Sequence, residues 1–188
     1  MKKLMMIAAM ALMSMGAFAQ AGTCSFGANL GIAGYGDSYN PLGVGIKFQY
    51  EFVENMRGEV AYNYWLPKDE AGVMDVDLTF HYLIPIVDKF KVYPLGGINV
   101  AMTHGDAFKD ALDGQETIFG FQLGCGVEYM LTPNLKANAE AKYQYNKKTK
   151  TIEGSTYSYM GYTYTTPSMD YDLQFDGPVF QVGIAYVF

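Results

Sequence analysis

The chain is poor in charge, in cysteine and in long apolar runs. Charged residues make up 17% of its 188 positions, and there are only two cysteines and one tryptophan. Beyond the first twenty residues no apolar run approaches the ~20 residues that a membrane-spanning helix requires, so a helical membrane span is excluded. Basic residues are in the minority, 13 Lys and Arg against 19 Asp and Glu, giving a net charge of −6. A nucleic-acid binder needs a basic stripe, so no nucleic-acid partner is expected. No segment of useful length has a helical period, and no repeat exceeds a hairpin. Gly34-Tyr35-Gly36 and Gly124-Cys125-Gly126 lack the Lys-Ser/Thr pair and the following helix of a phosphate loop.

At the N-terminus, Lys2 and Lys3 precede an uncharged apolar run from Leu4 to Met13, followed by small residues and Ala17-Phe18-Ala19. A basic region, an apolar run and an A-x-A site in that order form a secretory signal peptide. Residues 1–19 are expected to be removed, leaving 20–188 as one domain with a net charge near −8 once Lys2 and Lys3 are gone. Cutting after Ala21 is an alternative. Ala21-Gly22-Thr23 is a poor lipobox, so Cys24 is not expected to carry lipid.

Glycine (21), tyrosine (16) and phenylalanine (12) are abundant, and the mature chain alternates with period two, the pattern of β-strands. Leu42, Val44, Ile46, Phe48, Tyr50 and Phe52 oppose Gly43, Gly45, Lys47, Gln49 and Glu51. Similar alternation runs over 74–82, 119–129, 135–145 and 180–188, and more weakly over 26–33 and 57–66. Residues 92–102 complete the set. Pro94 would remove a ladder donor there, so a bulge is expected. Each segment approaches the 9–11 tilted residues that cross a bilayer core. Short turns (53–56, 85–90, 131–134) alternate with longer links (34–41, 67–73, 103–116, 146–176), which puts both termini on the short-turn side.

A soluble lipocalin-type barrel alternates in the same way with its apolar face inward. Two features favour a membrane barrel instead. The less apolar face is rich in Gly and Ala, which suits the crowded interior of eight strands. Aromatic residues gather at segment ends (Tyr50, Phe52, Tyr64, Trp65, Tyr82, Tyr129, Tyr143, Tyr145, Tyr186 and Phe188), as in two interfacial girdles. The expected fold is all-β: an eight-stranded antiparallel up-and-down transmembrane β-barrel. Only a closed ladder leaves no backbone N–H unpaired in hydrocarbon.

The chain ends Gln181-Val182-Gly183-Ile184-Ala185-Tyr186-Val187-Phe188. This is similar to the C-terminal assembly signal of outer-membrane barrels, and the whole mature chain resembles the small barrels typified by OmpX, OmpW and the OmpA membrane domain. The resemblance implies a bacterial outer-membrane location, surrounded by outer-membrane lipids and lipopolysaccharide. It also implies handling by periplasmic chaperones and insertion by the barrel-assembly machinery, with Gly183, Tyr186 and Phe188 as the signal.

The inward face carries a mixed-sign network of Lys47, Glu51, Arg57, Glu59, Asp75, Asp77, His81, Glu128, Lys136, Glu140 and Lys142. Mixed signs fit a salt-bridged plug better than a selective pore, since buried charges persist only when paired. His81 lies on one face with Asp75, Asp77 and Thr79, while His104 is followed by Asp106 in a link. Neither has a serine obviously beside it, so no catalytic residue is assigned. The link acids Asp106, Asp110, Asp113 and Glu116 do not follow EF-hand spacing, and no metal or cofactor is expected. Cys24 and Cys125 fall on strands that are not neighbours, so a disulfide is not expected. In the last link, Tyr157-Ser158-Tyr159-Met160-Gly161-Tyr162-Thr163-Tyr164 is nearly symmetric about Met160-Gly161, a tight-turn pair. Tyr159 would oppose Tyr162 and Tyr157 would oppose Tyr164, forming a surface ribbon able to meet an extracellular protein. The alternative is a disordered polar loop, favoured by Pro167 and the lysines of 147–150. The expected role is structural or adhesive. A narrow porin-like channel and a lipid A-modifying enzyme are the alternatives.

Overall fold

A computed structural model describes residues 22–35, 40–68, 71–104, 116–152, 156–159, 162–165 and 168–188. The proposed signal peptide and Asp106, Asp110 and Asp113 lie outside these residues. The strands are β1 (Thr23–Ala33), β2 (Leu42–Val53), β3 (Met56–Lys68), β4 (Ala71–Tyr82), β5 (Ile84–Val87) and β6 (Phe90–His104). They continue with β7 (Thr117–Thr132), β8 (Leu135–Ile152), β9 (Thr156–Tyr159), β10 (Tyr162–Thr165), β11 (Met169–Gln174) and β12 (Gly177–Val187).

Every neighbouring pair is antiparallel. The ring runs β1-β2-β3-β4-β6-β7-β8-β12 and returns to β1 through Phe26↔Tyr186 and Leu30↔Val182. Eight strands therefore close on themselves, and the barrel core has no free edge.

The pleat decides what faces where. Phe180 and Ile184 point outward, 55% and 56% exposed, while their strand neighbours Gln181 and Ala185 are buried. Arg57, Glu59 and Asn63 of β3 point inward, as do Asp75, Asp77, Thr79 and His81 of β4. The molecule is apolar outside and polar within, the reverse of a water-soluble barrel. The described N-terminal end and the C-terminus lie at the end carrying the short turns: Val187 N–H donates to Asn134 O and Phe188 N–H to Cys24 O.

Three expectations need correction. The 67–73 link is largely strand: β3 and β4 pair as far as Lys68↔Ala71, with a register shift after Trp65. Pro94 makes no bulge on its β7 side, where pairing runs without a shift from Phe90↔Tyr129 to Met102↔Thr117. On its other side the ladder ends at His81↔Leu95 and resumes at Ile84↔Val92. The proline thus sits where the ladder is already broken, and Leu83 N–H donates to Asn55 O across the neighbouring turn instead. Asn55 has φ 64°, a left-handed position that Asn tolerates better than most residues. Finally, Trp65 belongs to no girdle. It is fully buried inside the barrel, its ring over Gly43, where an added Cβ would stand 2.4 Å from the indole.

Candidate functional site: the lumen and the ribbon

The interior is a column of interlocked side chains. At the short-turn mouth Arg57 donates to Glu128 and, through Nε, to His81 Nδ1 at 3.2 Å. Its guanidinium carbon lies 4.9 Å from the Tyr93 ring centroid, and His81 stacks on the same ring at 4.9 Å. Because His81 Nδ1 accepts, the ring proton belongs on Nε2, which is 3.1 Å from Thr79 Oγ1. Lys136 and Lys91 add cationic neighbours to Glu128 at 3.6 and 3.8 Å. Tyr93 lies flat because Gly126 faces it: a Cβ there would meet the ring at 2.4 Å.

One layer further in, Lys47 Nζ donates to Glu140 Oε1 at 3.0 Å and stands 3.7 Å from Glu59. Tyr93 Oη and Asn138 Nδ2 also donate to Glu140, and Gln49 Nε2 donates to Glu59. Above this, Lys142 Nζ donates to Asp77 at 2.6 Å. Asp75 accepts from Asn63 at 2.7 Å and from Trp65 Nε1–H at 2.6 Å. Towards the long-loop end the lining turns apolar. Ala33, Tyr35, Trp65, Val73, Phe175 and Val179 belong to one buried cluster, with Tyr35 edge-on to Trp65 and Phe175 at 6.0 and 6.1 Å.

The structure brings together Lys47, Glu59, Glu128, Lys136, Glu140 and Lys142, along with Arg57, Asp75, Asp77 and His81. Glu51 is set apart, half-buried at the rim. All ten are at most 5% exposed, so little solvent-accessible space remains beside them. The four buried cations (Lys47, Arg57, Lys136, Lys142) nearly balance five buried anions (Glu59, Asp75, Asp77, Glu128, Glu140), leaving no strong single-sign field of the kind that selects ions. Sequence reasoning missed the aromatic lid. Tyr35 falls in the 34–41 link and Trp65 among the segment-end aromatics, so position hides both.

Neither histidine is paired with a serine among the described residues. His81 is walled in by Arg57, Tyr93 and Thr79, with no serine as partner. His104 stacks on Tyr64 at 4.9 Å, and neither ring nitrogen has a hydrogen-bond partner among the described residues. Among the described residues no group of three potential acidic, His or Cys ligands could hold a metal. Cys24 is buried and free, and Cys125 is free on the outward face.

At the long-loop end, β8 loses its β7 partner after Gly120↔Asn146 and continues paired with β11 alone, from Lys147↔Gln174 to Ile152↔Met169. Six rungs correspond to about 20 Å of strand. β8 pairs with β12 from Leu135↔Tyr186 to Gln144↔Gly177 and, after a break at Tyr145 and Asn146, with β11 from Lys147↔Gln174 to Ile152↔Met169 at the same offset, which Tyr159↔Tyr162 and Tyr157↔Tyr164 in the β9–β10 ladder also keep.

The model of the family described as outer membrane protein beta-barrel domain matches residues 5–188. Among solved structures, the outer membrane protein OprG from Pseudomonas aeruginosa superposes with a TM-score of 0.67 at 15% identity, covering 89% of this chain and 96% of that one. Neisserial surface protein A gives 0.62 at 16% identity, covering 88% and 96%. The N-terminal β-barrel domain of Pseudomonas aeruginosa OprF gives 0.53 at 14%, covering 89% and 99%. At these identities the likeness speaks for the fold. No curated protein matches the sequence. The closed ring, the apolar exterior and the family match agree: this chain belongs to the outer membrane protein β-barrel domain family and is an eight-stranded barrel of the bacterial outer membrane.

Proposed function

We propose that the protein is a non-enzymatic, non-conducting surface barrel, whose packed lumen anchors a ribbon that meets an extracellular protein. The observation that carries this reading is the shared register of the barrel's last hairpin and the tyrosine ladder, from Leu135↔Tyr186 to Tyr159↔Tyr162. Two segments that leave a rigid barrel and return at one offset present a ribbon, and tyrosine supplies rigid amphipathic area at low entropic cost. The filled lumen supports the reading, because charges paired across the bore hold the ribbon's base still. On insertion, chaperones and the assembly machinery would read Gly183, Tyr186 and Phe188. Tyr186 and Phe188 are outward, half-exposed and edge-to-face at 5.4 Å.

The test is deletion of residues 157–164. The barrel is expected to fold with unchanged heat-modifiable mobility, while binding of cells bearing it to host-cell or matrix surfaces drops to the level of cells lacking the protein. Undiminished binding would overturn the ribbon's role.

A further inference from the structure

Two side-chain oxygens in the lumen have no hydrogen-bond donor: Asn29 Oδ1 and Asn138 Oδ1. Asn29 on β1 and Asn138 on β8 are buried, 4% and 6% exposed. Both lie beside the same residue of the strand between them, in the rungs Asn29↔Gly183 and Gly183↔Asn138. A Cβ on Gly183 would stand 3.0 Å from Asn138 Oδ1 and 3.3 Å from Asn29 Cβ. The missing side chain marks a point on which both amides converge.

The two oxygens also stand where two hydrogen-bonded groups of lumen side chains meet. On one side, Asn138 Nδ2 and Lys47 Nζ donate to Glu140. On the other, Asn29 Nδ2 donates to Asn63 Oδ1, and Asn63 Nδ2 donates to Asp75 and Asp77. No side-chain hydrogen bond among the described residues joins the two groups. Turning either amide round does not supply the missing donor. A reversed Asn138 would set its oxygen against the Glu140 carboxylate. A reversed Asn29 would set its oxygen against Asn63 Oδ1, which also accepts from Gln181, and Asn63 is fixed by the two carboxylates its nitrogen serves.

We infer that one internal water molecule is bound between Asn29 and Asn138, over Gly183, and donates a hydrogen bond to each of the two oxygens. The chemistry selects this occupant. A buried acceptor left unpaired is costly, and two acceptors cannot bond each other. The species between them must therefore offer two donors. Water does so without adding charge, and buried water characteristically serves such otherwise unsatisfied polar groups. A cation is poorly matched: the carboxylate bonded to Asn138, Glu140, is already paired with Lys47 at 3.0 Å, and no carboxylate is among the atoms nearest the point over Gly183. The water joins the Glu140 group to the Asp75 group, so the polar interior becomes one connected column. The inference is independent of the ribbon's role.

A high-resolution crystal structure of the detergent-solubilised barrel tests it. Density for one water is expected within about 2.6–3.2 Å of both Oδ1 atoms. Direct contact between the two amides, or no density between them, overturns the inference. Crystals soaked in thallium(I) acetate should show no anomalous peak at this point; a peak there would make it a cation site and overturn the assignment of water. Asn29→Ala and Asn138→Ala, singly and together, give a readout in solution, with folding of each variant checked by gel mobility. Because the two side chains share one water, the double variant should raise the unfolding constant in urea at least threefold less than the product of the two single effects. A rise equal to that product would mean that nothing links them, and it too overturns the inference.

Discussion

Arg57 has three neighbours that constrain it at once: Glu128, His81, whose Nδ1 faces both Nε and Nη2 of the guanidinium, and the Tyr93 face. Removing one member of a buried pair strands the other charge, at about 3–5 kcal/mol. Arg57→Ala should lose that much in urea unfolding from vesicles, whereas Arg57→Met combined with Glu128→Leu and Lys136→Met should lose clearly less, because the three buried charges are removed together and Lys91 is part-exposed. A triple variant as unstable as the single one would show that packing, rather than pairing, dominates at this mouth. Gly126 gives a second test. Its missing side chain is the space the Tyr93 ring occupies, so Gly126→Val should cost about 1–3 kcal/mol by overpacking, and a neutral effect would mean the ring can move aside. Much of this was readable in advance. Trp65 shares parity with Arg57, Glu59 and Asn63, so the alternation itself assigns it inward, against its position near a strand end. The cross-barrel partners were not readable. Lys47 and Glu140 are 93 positions apart, and their meeting depends on the stagger at which the barrel closes, which no local pattern encodes.

At the scale of strands, period two located all eight barrel strands, because each has one face in the lumen and one outside. The alternation fails where both faces share one environment. Beyond the barrel rim, 147–152 and 169–174 form a ladder whose Lys, Thr and Asp content resembles a loop. The 67–73 segment looked like a link because of Pro67, Asp69 and Gly72, yet pairing persists to Lys68↔Ala71. The strand faces predict opposite tolerances. On β4, Val76 faces outward and its neighbour Asp77 is fully buried. Val76→Arg should destabilise the folded barrel by about 2–4 kcal/mol if it lies near the bilayer midplane, read from the unfolding midpoint in vesicles. An unchanged midpoint would mean that this face does not meet hydrocarbon.

The described residues of the barrel form a polar column topped by a buried aromatic cluster and wrapped in an apolar sheath. Its inside-out character follows from the solvent: hydrocarbon outside favours bulky apolar residues there, and the confined ionisable groups must satisfy one another. Composition alone pointed this way, through scarce charge, plentiful glycine and aromatic strand ends. The lid did not show in the sequence, since Tyr35, Trp65 and Phe175 come from three distant segments. The central claim is that the bore is closed from end to end, and single-channel recording in planar lipid bilayers tests it most directly. The protein should give a silent baseline under applied voltage. Regular conductance steps that disappear in Glu140→Gln would contradict the account and make the lumen a pore.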